Sequence, residues 1–220
     1  MRSKQSGFTL VEIAIVLVVI GLLLGGVLKG QELITQAKIK NVANDLNGIS
    51  AAVYAYQDRY RALPGDDPNA DARWTLGGAY TITQNGQIGG TYETGTTNSE
   101  SRAFWRHLRA SGLIAGDSAS DIQPLNAVGG ILGAQQGAPA GVDRNGNATQ
   151  ALAGQVICAA NLPGKIANAL DSQFDDGFPG SGPVRGYNQN GGNNPPLAGL
   201  ATGQNYVDDG ATLYVVCKQL

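Results

Sequence analysis

Charged residues, histidine and cysteine are all scarce in this chain. Its 220 residues include 15 Lys+Arg, 17 Asp+Glu, one His and two Cys, with a formal net charge of −2. A protein that tracks nucleic acid needs a basic surface, which this low count of cations does not provide. The single histidine, His107, has no G-x-S-x-G nucleophile motif to act on, so a Ser-His-Asp hydrolase is not expected. These absences predict a protein that is not an enzyme, binds no nucleic acid and needs no cofactor.

Proline is absent before Pro64, whereas glycine is abundant, with 32 residues. The stretch Leu63-Pro64-Gly65-Asp66 is typical of a helix end, because proline and glycine both break helices. Most of the glycines lie among Asn, Gln, Thr and Ser, yet short apolar runs recur between them. Recurring apolar runs favour a folded, loop-rich domain over disorder.

The first 28 residues divide into a polar start and an apolar run. Residues 1–7 read MRSKQSG, and residues 8–28 are apolar with Glu12 as their sole charge. About 21 residues at a rise of 1.5 Å span roughly 31 Å, close to the thickness of a bilayer's hydrocarbon core. The run is too long for the apolar part of an ordinary secretory signal. It therefore predicts a membrane-spanning helix, although basic residues on both sides leave its orientation open.

The helical pattern continues beyond this span. Apolar residues recur at alternating spacings of three and four, forming one stripe: Ile39, Val42, Leu46, Ile49, Val53, Tyr56 and Tyr60. The spacing predicts one helix over about residues 8–61. The stripe could form a coiled coil, but it is short, so we expect it to pack on the chain's own globular domain.

Four glycines interrupt the apolar half of this helix: Gly21, Gly25, Gly26 and Gly30. Each costs roughly 1 kcal/mol of helix propensity relative to alanine. They could form a small-residue face for close helix packing in lipid, or a stretch that loses helicity when helices pack into a polymer. Both interpretations stay open.

The remainder, residues 62–220, predicts a mixed domain joined by Asn- and Gly-rich loops. Residues 101–110 and 163–173 are predicted helices, and residues 155–160 and 211–218 are predicted strands. Residues 97–100 (TNSE) resemble a helix-capping box. The predicted fold class is α+β, with a long N-terminal helix on a small antiparallel sheet. The predicted order is a leader (1–7), a span (8–28), an amphipathic helix (29–61) and this domain (62–220).

Cys158 and Cys217 each lie inside a short apolar run. A disulfide between them is the economical interpretation and would stabilise the domain by roughly 4 kcal/mol on the chain-entropy model. It implies an oxidising compartment and therefore places the C-terminal part outside the cytoplasm. Two buried free thiols are the alternative.

Residues 4–12 read KQSGFTLVE and are followed by about twenty apolar residues. This combination resembles the leader and cleavage site of type IV prepilins and of type II secretion pseudopilins. The resemblance implies that a prepilin peptidase cuts between Gly7 and Phe8 and methylates the new N-terminus at Phe8. It further implies a subunit anchored in inner-membrane lipid with a periplasmic C-terminal domain. A platform protein and an assembly ATPase would then extract it into a periplasmic or extracellular filament of identical copies or mixed pilins.

Glu12 is costly inside an apolar helix, by roughly 2.5–3.5 kcal/mol on insertion scales for charged groups, so it calls for a partner. The resemblance implies that this partner is the Phe8 amine of a neighbouring subunit, a pairing that sets the axial step of the filament. The alternative is a glutamate that snorkels to the membrane interface at the first turn of an ordinary anchor.

Three interpretations of function remain open. A type IV pilin and a type II secretion pseudopilin share the motif, and a periplasmic binding protein or hydrolase could use the apolar helix only as a tether. The pseudopilin resemblance also makes four aspartates weak candidates for calcium, although DDG is equally an ordinary turn: Asp175, Asp176, Asp208 and Asp209.

Overall fold

The computed structural model describes residues 9–76, 80–96, 98–141, 144–145, 147–189, 197 and 205–220. The chain divides into two compact units, residues 1–38 and residues 39–220. The helices are α1 (Leu10–Tyr60), α2 (Ala70–Trp74), α3 (Glu100–Ala110) and α4 (Gly164–Phe174). The strands are β1 (Leu132–Ala138), β2 (Leu152–Pro163), β3 (Val184–Asn188) and β4 (Leu213–Gln219).

Helix α1 is 51 residues long and runs through both units. In the first unit its residues are exposed almost throughout, whereas in the second unit the predicted apolar stripe from Ile39 to Tyr56 is buried. The stripe packs in a core with the inner face of the sheet and with α3 and α4. The prediction of a long helix packed on its own domain is therefore confirmed. The helix ends where expected, since Arg61 adopts φ 54° just before Leu63 and Pro64.

The four strands form one antiparallel sheet in the order β1-β2-β4-β3. Alternation along β2 gives the sheet two buried faces: Ile157 and Ala159 face the α1 core, and Val156 and Cys158 face a second core. Strands were expected at residues 155–160 and 211–218, and β2 and β4 occupy these places. The α+β prediction is confirmed, with the core on both sides of the sheet.

The loop that includes residues 80–96 covers the second face of the sheet near β1. Tyr92 is fully buried there, and its carbonyl oxygen lies against Gly133, where any side chain would collide with it. Gln136 of β1 donates a backbone hydrogen bond to Ile88 (3.1 Å), so the loop also covers the outer edge of the strand. Glycine at position 133 therefore lets the loop sit directly on the sheet.

Two buried carboxylates hold the start of this loop. Glu100 accepts hydrogen bonds from the backbone N–H groups of Thr83 (2.6 Å) and Gly89 (2.5 Å). Asp66 accepts from those of Gln84 (2.5 Å) and Gly86 (2.7 Å). The predicted capping box is wrong, because α3 begins at Glu100 itself and this carboxylate bonds the loop instead. Its other predicted member, Thr97, lies outside the described residues.

Candidate functional site

The apolar half of α1 is exposed in the part of the chain that the structure describes. Helix α1 is long and apolar enough to cross a membrane, and none of its most apolar 18-residue stretch is buried. Large side chains such as Leu10, Leu22 and Leu28 are more than half exposed. A contiguous apolar surface of this size must be covered by lipid or by other protein. The apolar half of α1 is therefore suited to contact a bilayer or other helices.

Glu12 lies in the first turn of α1 and caps it. Its Oε2 accepts hydrogen bonds from the backbone N–H of Thr9 (2.8 Å) and from the Thr9 hydroxyl (2.8 Å). The backbone N–H of Glu12 donates in return to Thr9 Oγ1 (3.3 Å). This reciprocal arrangement is a capping box, which the T-x-x-E spacing could have revealed in the sequence. Both of these bonds end on Oε2, and no donor among the described residues bonds Oε1.

The predicted cleavage and methylation residues, Gly7 and Phe8, lie outside the described residues. The four glycines of the apolar half lie within α1, which is continuous through them. A methyl group added at any of them would meet no atom within 4 Å. No contact with the residues that the structure describes therefore requires glycine there. Packing against other molecules and a local loss of helicity both stay open as reasons for the cluster.

Cys158 and Cys217 form a disulfide, with an S–S distance of 2.06 Å. They occupy directly opposed positions on the adjacent strands β2 and β4. Both side chains are fully buried in the second core. The bond therefore joins the two central strands of the sheet across a sequence separation of 59 residues.

Three carboxylates come together at the end of α4. Ligand oxygens of Asp171, Asp175 and Asp176 all lie within 4.8 Å of one another. Asp171, which the sequence did not single out, is fully buried and accepts from the Tyr206 hydroxyl (2.6 Å) and from the Gly177 N–H (2.9 Å). Burial raises the pKa of Asp171 to about 6, despite these two bonds.

The other two calcium candidates do not join this group among the described residues. Asp209 closes a turn, since its carboxylate accepts from the N–H groups of Ala211 (2.9 Å) and Thr212 (2.7 Å). These backbone bonds lower the pKa of Asp209 to about 2. Asp208 precedes it in the same exposed segment. Of the four predicted calcium ligands, Asp175 and Asp176 therefore lie in the three-carboxylate group at the end of α4. Asp208 and Asp209 lie in the exposed segment before β4.

His107 is buried in α3 and has a structural role. Its Nδ1 accepts a hydrogen bond from the backbone N–H of Gly65 (3.0 Å), and its ring stacks on Tyr56. Burial lowers the pKa of His107 to about 4, which keeps the imidazole neutral and able to accept this bond. The same cluster contains Asp67, which accepts from the Tyr56 hydroxyl (2.7 Å) and from Arg73 (2.8 Å). These contacts fasten the turn after α1 to α3.

Asp171 and His107 should have opposite effects on stability between pH 4 and pH 7. Because the pKa of His107 is lowered in the folded chain, the unfolded chain binds a proton first as pH falls. The contribution of His107 to stability is therefore complete above about pH 6.5 and is lost towards pH 4. The raised aspartate pKa means that the folded chain keeps a proton longer, so stability falls as pH rises from about 4 to 6. Each effect is roughly 3 kcal/mol, so they nearly cancel.

Each single variant should therefore unmask the other group. As pH rises from 4 to 7, the free energy of unfolding of His107→Gln should fall by roughly 3 kcal/mol relative to that of the unmodified chain. That of Asp171→Asn should rise by about as much over the same range. Urea unfolding of the detergent-solubilised chain, followed by tryptophan fluorescence with a chelator present, measures both. If the free energies of unfolding of the unmodified chain and of both variants changed with pH in parallel, the pKa shifts of both His107 and Asp171 would be contradicted.

Comparison with known proteins bears on the N-terminal segment. Residues 2–28 match the family model described as the prokaryotic N-terminal methylation motif. No curated protein and no solved structure matches the chain significantly. The matched residues include the predicted cleavage site, Glu12 and the exposed apolar half of α1. Residues 2–28 therefore carry the signature of type IV pilins and pseudopilins.

Proposed function

We propose that the chain is a structural subunit of a type IV pilus-type filament. The observation that carries the proposal is the methylation motif at residues 2–28, joined to an apolar helix that is left uncovered by the residues that the structure describes. The motif implies processing by a prepilin peptidase and assembly into a filament. Before assembly the apolar half of α1 anchors the subunit in the inner membrane, with the disulfide-bonded domain in the periplasm. This role needs no catalytic group and no cofactor.

In the assembled filament, the apolar halves of α1 from many copies pack on one another instead of on lipid. Side chains such as Leu17, Leu23 and Leu24, which the isolated chain exposes, are then buried among neighbouring helices. A platform protein and an assembly ATPase supply the work of extraction from the membrane. The open Oε1 of Glu12 receives the amine of a neighbouring Phe8, which offsets the cost of a carboxylate in an apolar bundle.

A type II secretion pseudopilin is the alternative within the same class, because the motif is common to both. The three-carboxylate group of Asp171, Asp175 and Asp176 favours this alternative to the extent that it holds calcium. Thermal unfolding with calcium and with a chelator tests it: a calcium-dependent rise in the midpoint that Asp171→Asn abolishes would support the pseudopilin.

Mass spectrometry of the N-terminal peptide tests the filament subunit against a simple membrane anchor. In cells with an active prepilin peptidase, the mature chain should begin at an N-methylated Phe8 and lack residues 1–7. A Gly7→Leu variant serves as the control, since a bulky residue at the cut should leave the leader attached. An intact leader on the unmodified chain would contradict the proposal and favour an anchored periplasmic protein.

A further inference from the structure

Asp45 lies beside a groove of the second unit, residues 39–220. The groove has a volume of about 360 Å³ and lies between α1 and the segment after α3, lined by Gly48, Trp105 and Leu125 among others. Asp45 is half-buried at its edge and forms no hydrogen bond or ion pair with any residue that the structure describes. Burial raises its pKa. Arg109 lines the same groove, but its guanidinium donates to the backbone carbonyl oxygens of Ser120 (2.8 Å) and Ile122 (2.7 Å). A cation from another molecule would relieve this cost.

Lys40 is the complementary charge on the same helix. It is exposed and has no ion-pair partner among the described residues. Lys40 and Asp45 are five residues apart, which at about 100° per residue places them roughly 140° apart around α1. They therefore occupy nearly opposite flanks and cannot meet within one chain. Opposite flanks are what a head-to-tail contact between parallel copies requires, since such a contact repeats without closing into a dimer.

The spacing of these charges agrees with that of the N-terminal pair. Glu12 follows residue 8, which carries the amine in the processed chain, by four residues, and Asp45 follows Lys40 by five. Five residues of helix rise by roughly 7.5 Å, and a flexible lysine side chain absorbs a difference of one residue between the two spacings. One axial shift between two parallel copies would therefore bring both carboxylates level with cations of the neighbour.

We propose that Lys40 of one copy pairs with Asp45 of the next copy, so that the Lys40 flank of α1 covers the groove beside Asp45. The inference rests on the proposed filament and adds to it a second register contact, outside the apolar bundle. Its occupant is a second copy of this chain. Exposed Leu125 at the groove would be covered in the same contact.

Paired cysteines test this geometry directly. Filaments of a Lys40→Cys/Asp45→Cys variant should form a ladder of disulfide-linked multimers on a non-reducing gel after mild oxidation. An intrachain bond is excluded, because five residues along a helix separate the Cα atoms by roughly 9 Å, beyond the limit of about 7 Å for a disulfide. The native disulfide is fully buried and stays out of the exchange.

The matched control is Lys40→Cys/Asn47→Cys. Both of its positions are exposed and seven residues apart, on one flank of α1, so it should yield no ladder. A ladder from this control, a dimer from Asp45→Cys alone, or no ladder from Lys40→Cys/Asp45→Cys in intact filaments would each overturn the inference. Absence of filaments from the unmodified chain would overturn the proposed function instead, and the inference with it.

Charge exchange supplies an independent measurement. Lys40→Glu and Asp45→Lys should each lower the amount of sheared, pelletable filament about five-fold, because like charges then face each other between copies. The exchanged double variant Lys40→Glu/Asp45→Lys should recover to within about two-fold of the unmodified chain. Losses that simply multiply in the double variant would show that the two residues do not meet.

Discussion

Replacing Glu12 with leucine is expected to abolish filament assembly, to below about 1% of the unmodified amount, while cleavage and methylation at Phe8 proceed normally. The carboxylate is the sole charge in the apolar half of α1, and in the proposed filament the amine of a neighbouring Phe8 offsets its cost in a bundle of such helices. Leucine keeps the apolar surface and membrane insertion but removes the group that selects the axial step. Sheared filaments are measured by immunoblot, and the N-terminus by mass spectrometry.

The Thr9 cap provides the matched control for this experiment. Thr9→Val removes the hydroxyl that bonds Glu12 Oε2 but leaves the carboxylate in place. It should lower assembly by no more than about five-fold, because an N-cap contributes about 1 kcal/mol. If Thr9→Val lost filaments as completely as Glu12→Leu, the glutamate would act by capping its own helix. Normal assembly of Glu12→Leu would refute any pairing role.

Removing the disulfide is expected to lower the stability of the globular unit by about 4 kcal/mol. The bond closes a loop across a sequence separation of 59, and the entropy of that loop returns to the unfolded chain when Cys158 and Cys217 both become alanine. For a domain of this size the thermal midpoint should fall by roughly 8–16 °C. Circular dichroism of the detergent-solubilised full chain measures the shift.

Two controls separate the entropic effect from damage to the core. Both sulfurs are fully buried, so a reductant should leave the folded protein intact and lower its midpoint to that of the double alanine variant only after an unfolding cycle. Non-reducing peptide mapping of the unmodified chain should recover Cys158 linked to Cys217. Two free thiols in protein purified from cells would count against export, and an unchanged midpoint against the stabilisation.

The long helix and the two central strands could be predicted from the sequence because each forms from local pattern alone. The stripe from Ile39 to Tyr56 fixes which face of α1 is buried, and the apolar runs around Cys158 and Cys217 match β2 and β4. Hydrophobic periodicity carries this information without knowledge of any partner. The motif at residues 2–28 is equally local, and a family model finds it there.

The edge strands β1 and β3 could not be predicted in the same way. Their sequences, LGAQQGA and VRGYN, lack an apolar run and contain glycine, which weakens a strand. They are strands because each pairs with a central strand, β1 with β2 and β3 with β4. Pairing of this kind depends on residues far apart in the chain, so no local pattern reports it.

The N-terminal motif was determined by the sequence, since a polar start, a Gly-Phe junction, Glu12 and an apolar run are all contiguous. The tertiary structure decided which charges are already satisfied. It showed Glu12 capping α1 through Thr9, Glu100 bonding the loop at Thr83, and Asp45 without a partner among the described residues. The reason is physical: the cost of a charge depends on burial and on neighbours in space, and only folding brings those neighbours together.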